Sequence, residues 1–133
     1  MHSGMRGLIV ALKQIQPLLA DVLRGGGIHR LVAVASSAEA LDRCAYGGFS
    51  FALIDARLGA EDGVELLRTL RASPDHPARR MPTVVLCDGT LDQVEAARAA
   101  GADALVIKPV RPQVLLSHLR RLFAAPADDR AWI

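Results

Sequence analysis

The chain is short of aromatic rings, of lysine and of cysteine. Of its 133 residues 51% are hydrophobic but only 4% aromatic, so any interior must be built from Leu, Val, Ile and Ala. Lys13 and Lys108 are the only lysines, and arginine supplies nearly all the positive charge. Sixteen basic against fourteen acidic residues leave a formal charge of +2. Such an even balance argues against nucleic acid as a main partner, because nucleic-acid-binding domains concentrate positive charge. The two cysteines, Cys44 and Cys87, make neither a disulfide framework nor a zinc spacing, and both read as small buried hydrophobes. No apolar run approaches the roughly 20 residues that a membrane span needs, and the opening Met-His-Ser-Gly-Met-Arg precedes no long apolar segment. The expectation is a soluble, cytoplasmic protein with no membrane partner.

Nucleotide signatures are missing as well. A dinucleotide site wants G-x-G-x-x-G between a first strand and its helix; that turn here reads Leu12-Lys-Gln-Ile-Gln16, and Gly25-Gly26-Gly27 comes after the helix. A P-loop is absent, and Arg57 stands where a cobalamin-type motif would need His two residues after Asp55. A flavodoxin-like cofactor-binding protein is therefore a secondary alternative.

The length suits one domain with a real core. Short apolar runs at 8–12, 31–35, 49–54, 83–87 and 104–107 read as buried strands. Helical spacing follows each. The first helix starts near Ile15 or Gln16, with Pro17 tolerated in its first turn and Gly25-Gly26-Gly27 at its end. The second runs from a Ser36 or Ser37 cap to Tyr46, before Gly47-Gly48. The third spans 63–72, the fourth 91–100 with Gly101 as its C-cap, and the fifth 112–123, with Val114, Leu115, Leu116, Leu119 and Leu122 inward. Strict alternation predicts parallel strands with right-handed crossovers and helices on both faces. The remainder, 125–133, reads as a flexible tail; Trp132 within it is a candidate docking anchor.

In that arrangement the carboxyl edge of the sheet is where ligands and chemistry sit. Phe49 to Ile54 delivers one acid, Asp55, to that edge; Ala104 to Ile107 delivers Lys108, followed by Pro109. An acid and a lysine on neighbouring strand ends suggest a phosphoryl-accepting pocket.

These residues resemble the receiver domain of bacterial two-component response regulators, similar to the chemotaxis response regulator, over nearly the whole of 1–124. The resemblance rests on Asp55 closing the third strand, Asp62-Gly63-x-Glu65-Leu66 opening the third helix, Pro82-Thr-Val-Val-Leu86, and Gly101-Ala-Asp103 followed by Lys108-Pro109. It implies a flavodoxin-like doubly wound (βα)5 three-layer sandwich with a five-stranded parallel sheet ordered 2-1-3-4-5. It also implies a phosphoacceptor role for Asp55, a phosphate-site role for Lys108, and no enzyme activity in the usual sense.

The departures matter equally. Two acids that help the family hold Mg²⁺ are replaced by Ala11 and Leu12, leaving Asp55 and the Arg57 carbonyl as weak candidates. Cys87 replaces the hydroxyl residue after the fourth strand, Leu105 the aromatic switch of the fifth, and Gly59 the usual proline after the acceptor. Lys13 is a possible charge substitute for the metal; Asp88 reads as a cap with Thr90 or as a displaced metal ligand. Arg79-Arg80 reads as a solvated loop or a docking patch. The expectation is a degenerate, or pseudo-, receiver with no cofactor or only weak Mg²⁺. It would act as a stand-alone phosphorelay module by protein–protein contact with a sensor histidine kinase or other signalling protein. A homodimer through the helix 4, strand 5 and helix 5 face is a further expectation. The alternative is a working phosphoacceptor regulator.

Overall fold

The structure is a computed structural model and describes residues 4–124. The predicted tail and Trp132 lie outside them. The elements run β1 Arg6–Val10, α1 Gln16–Gly25, β2 Arg30–Val34, α2 Ser37–Ala45 and β3 Phe51–Asp55, then a two-stranded excursion, β4 Arg57–Leu58 and β5 Glu61–Asp62. α3 Gly63–Ala72, β6 Thr83–Cys87, α4 Leu91–Ala100, β7 Ala104–Ile107 and α5 Pro112–Ala124 follow. β2-β1-β3-β6-β7 form one sheet, parallel throughout. Counting sheet strands alone, this is the expected order 2-1-3-4-5.

Aliphatic side chains fill both faces. Ala52 and Ile54 of β3 join Leu8, Val10, Leu67, Val85 and Leu105 on the face covered by α2, α3 and α4. Phe51 and Leu53 join Ile9, Leu23, Val84 and Val106 under α1 and α5. Both faces are buried, so the strands read as continuous apolar runs rather than alternating ones. Capping sets the helix starts. Ser36 accepts from the Glu39 N–H at 3.2 Å, and Glu39 Oε1 accepts from Ser36 Oγ and from the Ala35 N–H one residue before the cap. Asp62 caps α3 through the Val64 N–H at 2.8 Å. Gly101 ends α4 in the left-handed region at φ +102°.

Some expectations shift. β1 ends at Val10, so Ala11 and Leu12 belong to the turn after it. Val114, expected inward, is 42% exposed, because it lines an open cleft between β7 and α5 instead of the core. The β4–β5 hairpin had no counterpart in the sequence reading: its strands are two residues each, too short for any period to register.

Candidate functional site

Parallel strands bring all their carboxyl ends to one edge. Register places Val10 beside Ile54, Asp55 beside Leu86 and Cys87 beside Ile107, so the residues after β1, β3, β6 and β7 converge. Asp55 lies at the centre and is fully buried. Its Oδ1 accepts from Lys108 Nζ at 2.7 Å and from the Arg57 N–H at 3.0 Å. Its Oδ2 is buried and has no hydrogen-bond partner among the described residues. The Lys108 side chain is 35% exposed, so it neutralises the carboxylate from the solvent side. The Lys108 N–H donates to the Cys87 carbonyl at 2.8 Å, anchoring the lysine's backbone to the neighbouring strand. The expected meeting of Asp55 and Lys108 is thus a direct charge-assisted hydrogen bond.

The hairpin explains two residues around the acid. Gly59 sits in its two-residue turn at φ +64°, a conformation closed to proline, whose ring holds φ near −65°. Gly63 brings the start of α3 against the strand: a Cβ there would run into the Asp55 carbonyl oxygen and Ile54 Cγ2.

On the β1 side the surroundings are apolar. Ala11 is fully buried with Ile9, Leu19 and Leu53. Leu12 is half-buried and reaches toward the hairpin turn, where a Cβ on Gly59 would stand 3.7 Å from Leu12 Cδ2. The carbonyls of this turn are engaged locally. That of Leu12 accepts from the Ile15 and Gln16 N–H groups at 2.9 and 3.2 Å, and that of Ala11 from Gln16 Nε2 at 2.9 Å.

Cys87 is fully buried, and its Sγ lies 4.0 Å from the Val85 carbonyl. Burial first, then the Asp88 and Asp55 charges, push its thiol up to about 11 against the opposing pull of Lys108. A thiol in that state is a poor donor and a poor nucleophile at neutral pH. Leu105 is fully buried in the α2–α4 face cluster.

Two further candidates, Lys13 and Asp88, make no direct contact with the Asp55 carboxylate. Lys13 is exposed, and the ion pair of Asp55 is with Lys108, not with Lys13. Its position at the end of the β1 turn carries it into solvent. Asp88 accepts from the Thr90 N–H at 3.0 Å and the Thr90 hydroxyl at 2.9 Å, and its Oδ2 lies 3.6 Å from Arg57 Nη2. The Thr90 donors, backbone first, hold its carboxyl below the ordinary carboxylate range, with smaller help from Arg57 and Lys108. Thr90, not Asp88, caps α4, through the Gln93 N–H. An open cleft of about 470 Å³ lies beside this loop, walled by Arg57, Glu61, Asp62, Thr90 and Asp92; nothing in the sequence pointed to it.

A Mg²⁺ ion needs about six oxygen ligands in near-octahedral order. Among the described residues no group of three or more His, Cys, Asp or Glu side chains converges as a metal site. Asp55 is the one carboxylate at the centre, and an ammonium already holds one of its oxygens. Ala11 and Leu12 offer no side-chain ligand. That leaves the Asp55 carboxylate and the Arg57 carbonyl as the candidate ligands.

The family model of the response regulator receiver domain matches residues 12–120. The chain belongs to this family. The receiver is 28% identical over 107 residues to the chemotaxis protein CheY of Pseudomonas aeruginosa, covering 80% of this chain and 85% of that one. It is 30% identical over 120 residues to the sensory/regulatory protein RpfC of Xanthomonas campestris, covering 90% of this chain but 16% of RpfC. Among solved structures, the receiver domain of a Pseudomonas aeruginosa sensor histidine kinase, with magnesium coordinated in its active-site cleft, matches with a TM-score of 0.81 at 26% identity. That alignment covers 92% of this chain and 100% of the other. A CheY-like receiver domain protein of Methanospirillum hungatei matches with a TM-score of 0.79 at 27% identity, over 92% and 95% of the two chains. The receiver fold and a place in two-component signalling follow. None of the described helices is long and apolar enough to cross a membrane.

Proposed function

We propose that this receiver is a signalling module that acts by protein–protein contact and whose state is not set by metal-dependent phosphorylation of Asp55. One observation carries the reading: Asp55 is fully buried and holds Lys108 at 2.7 Å, while Ala11 and Leu12 occupy the positions after β1 where acids would be needed for a metal. Phosphoryl transfer between an anionic donor and a carboxylate depends on positive charge gathered at the transferring group. Lys108 supplies part of it, already neutralised by Asp55. The routes onward are also altered, since buried Cys87 and Leu105 provide neither a good hydroxyl-type donor nor a ring able to swing. A switch requires a ligand with different affinity for two states; without anchors for the phosphoryl group, one state prevails.

The partner is a sensor histidine kinase or another signalling protein, in keeping with the histidine-kinase receiver among its structural relatives. The α4–β7–α5 side offers the contact surface, as Leu91 is 69% and Val114 42% exposed there. The same side serves a homodimer. The retained Asp55 and Lys108 favour a second reading, a working phosphoacceptor.

Incubation with a small acyl phosphate, with and without Mg²⁺, followed by intact mass, separates the two. The expected result is no phosphoryl adduct in either arm, and gain of a Mg²⁺-dependent adduct when Ala11→Asp and Leu12→Asp are introduced together. A Mg²⁺-dependent adduct on the unaltered chain, lost in Asp55→Asn, establishes the second reading.

A further inference from the structure

We propose that the amino edge of the sheet, opposite Asp55, is a preorganised docking surface for an acidic protein segment, centred on Arg79, Arg80 and Tyr46. The proposal does not depend on what happens at Asp55.

The loop between α3 and β6, residues 73–82, presents Arg79 and Arg80 to solvent. It is held rigidly. The half-buried Arg71 guanidinium spends one nitrogen on the carbonyls of Arg79 at 2.9 Å and Met81 at 2.8 Å. Its other donors reach the Gly101 carbonyl and Asp103 Oδ2. Ala78 is buried beneath the loop, and its N–H donates to His76 Nδ1 at 3.1 Å. Thus one arginine fixes the backbone that displays two others. Ordering the segment before binding removes an entropic cost that a partner would otherwise meet.

The neighbouring loop completes the surface. Pro77 lies against Gly47, where a Cβ would stand 3.3 Å from Pro77 Cβ. Tyr46, directly before it, is 84% exposed, the largest exposure among the large hydrophobic side chains described. Arg43 stands one turn earlier on α2, and Arg6 stacks over the Phe49 ring at 4.4 Å. Among the described residues no ion pair includes Arg43, Arg79 or Arg80. Asp75 is the one exposed carboxylate on the 73–82 loop.

Helix dipoles account for arginine in the last turns of helices, including Arg43. They do not account for Arg79-Arg80, which lie in a loop. The cationic side chains of this edge are arginines, as are nearly all those of the chain. Arginine and tyrosine with little lysine is the composition of protein–protein interfaces and their hot spots. An exposed Tyr46 beside these arginines favours a protein partner, since Tyr and Arg are enriched at protein hot spots. Charge complementarity makes that partner acidic.

The test uses the full ¹⁵N-labelled chain and a short synthetic peptide of Glu and Asp flanking a single Leu, at physiological salt. Its Gln/Asn counterpart, a single-stranded DNA oligonucleotide and phosphatidylserine vesicles are run alongside. The proposal expects saturable amide shifts confined to residues 43–50 and 73–81 with the acidic peptide. Affinity should fall about tenfold in Arg79→Glu/Arg80→Glu and severalfold in Tyr46→Ala, while the amide peptide leaves the spectrum unchanged. Since these side chains are exposed, unchanged circular dichroism will show that the variants fold. Shifts spread over the whole surface, equal binding by the amide peptide, no saturable binding, or tighter binding of the DNA or vesicles at this edge would each overturn it.

Discussion

Two ion pairs sit at opposite edges of one sheet, and they are built differently. At the amino edge Arg71 and Asp103 are 3.0 Å apart, with side chains 18% and 13% exposed. Asp103 Oδ2 also accepts the Thr83 N–H at 2.8 Å, and the guanidinium is shared among several carbonyls. At the carboxyl edge Asp55 and Lys108 are closer, 2.7 Å, and the acid is wholly buried, yet Asp55 Oδ2 has no partner. A buried charge is tolerated when its lone pairs and protons are satisfied, and it is costly when they are not. Saturation marks the amino-edge pair as a structural tie between α3, the 73–82 loop, β6 and β7. The carboxyl-edge pair keeps an unmet acceptor. His118 Nδ1, on α5 in the same cleft as Lys108, is the other buried side-chain atom without a partner among the described residues.

The largest effect should come from breaking the saturated tie. Arg71→Met strands the Asp103 carboxylate and frees the carbonyls of the loop, and removing one partner of a buried pair costs about 3–5 kcal/mol. Urea melts should show a loss near the lower end of that range, about 3 kcal/mol, because some of the freed carbonyls can reach water. A loss below about 1 kcal/mol would make the amino edge no tighter than an ordinary surface contact.

Lys108→Met should cost less, about 2 kcal/mol, since the ammonium is partly solvated and the site is already incompletely satisfied. Combined with Asp55→Asn the loss should be smaller than the two single losses added, with a coupling of about 1 kcal/mol or more. Strict additivity in denaturant melts would mean that the 2.7 Å contact carries no net coupling, and the comparison between the edges would fail.

Smaller still is the effect of pH on His118. Burial first, then the Arg121 charge, hold its imidazole below the ordinary value. In the unfolded chain it takes up a proton at the ordinary value of about 6.5, while the folded state resists. The unfolded state then binds more protons, so stability falls as pH drops below about 6.5 and recovers above it. His118→Leu should flatten that segment of the stability curve measured by urea melts. An unchanged slope would place the imidazole in contact with water.

The least perturbing test concerns the thiols. Burial pushes Cys44 up to about 11, as it does Cys87. Neither should react with a thiol reagent at pH 8 in the folded protein, and both should react after unfolding in urea. Rapid labelling of Cys87 alone would show that the carboxyl edge opens while the amino edge stays closed.

Much of this architecture was legible along the chain. The apolar runs at 83–87 and 104–107 match β6 and β7, and the helices at 63–72 and 91–100 match α3 and α4 residue for residue. Pairing of Asp55 with Lys108 was legible too, because strands of one direction must bring their carboxyl ends together. Val114 misled, since an apolar residue at helical spacing can as well line a cleft as a core. Arg71 gave no signal as a tie, because a lone arginine near a helix end reads as a dipole partner.

Local patterning thus determined the strands, the helices, their order and the edge at which acid and lysine meet, since period, caps and glycines act within a few residues. Tertiary structure alone decided that Asp55 is sealed with one oxygen unmet, that Lys13 stands apart, that Gly59 serves a hairpin turn, and that Arg71 binds a loop to a distant strand. Each of these depends on contacts between segments remote in sequence. Their geometry follows from how the sheet twists and the helices settle, which no local period encodes.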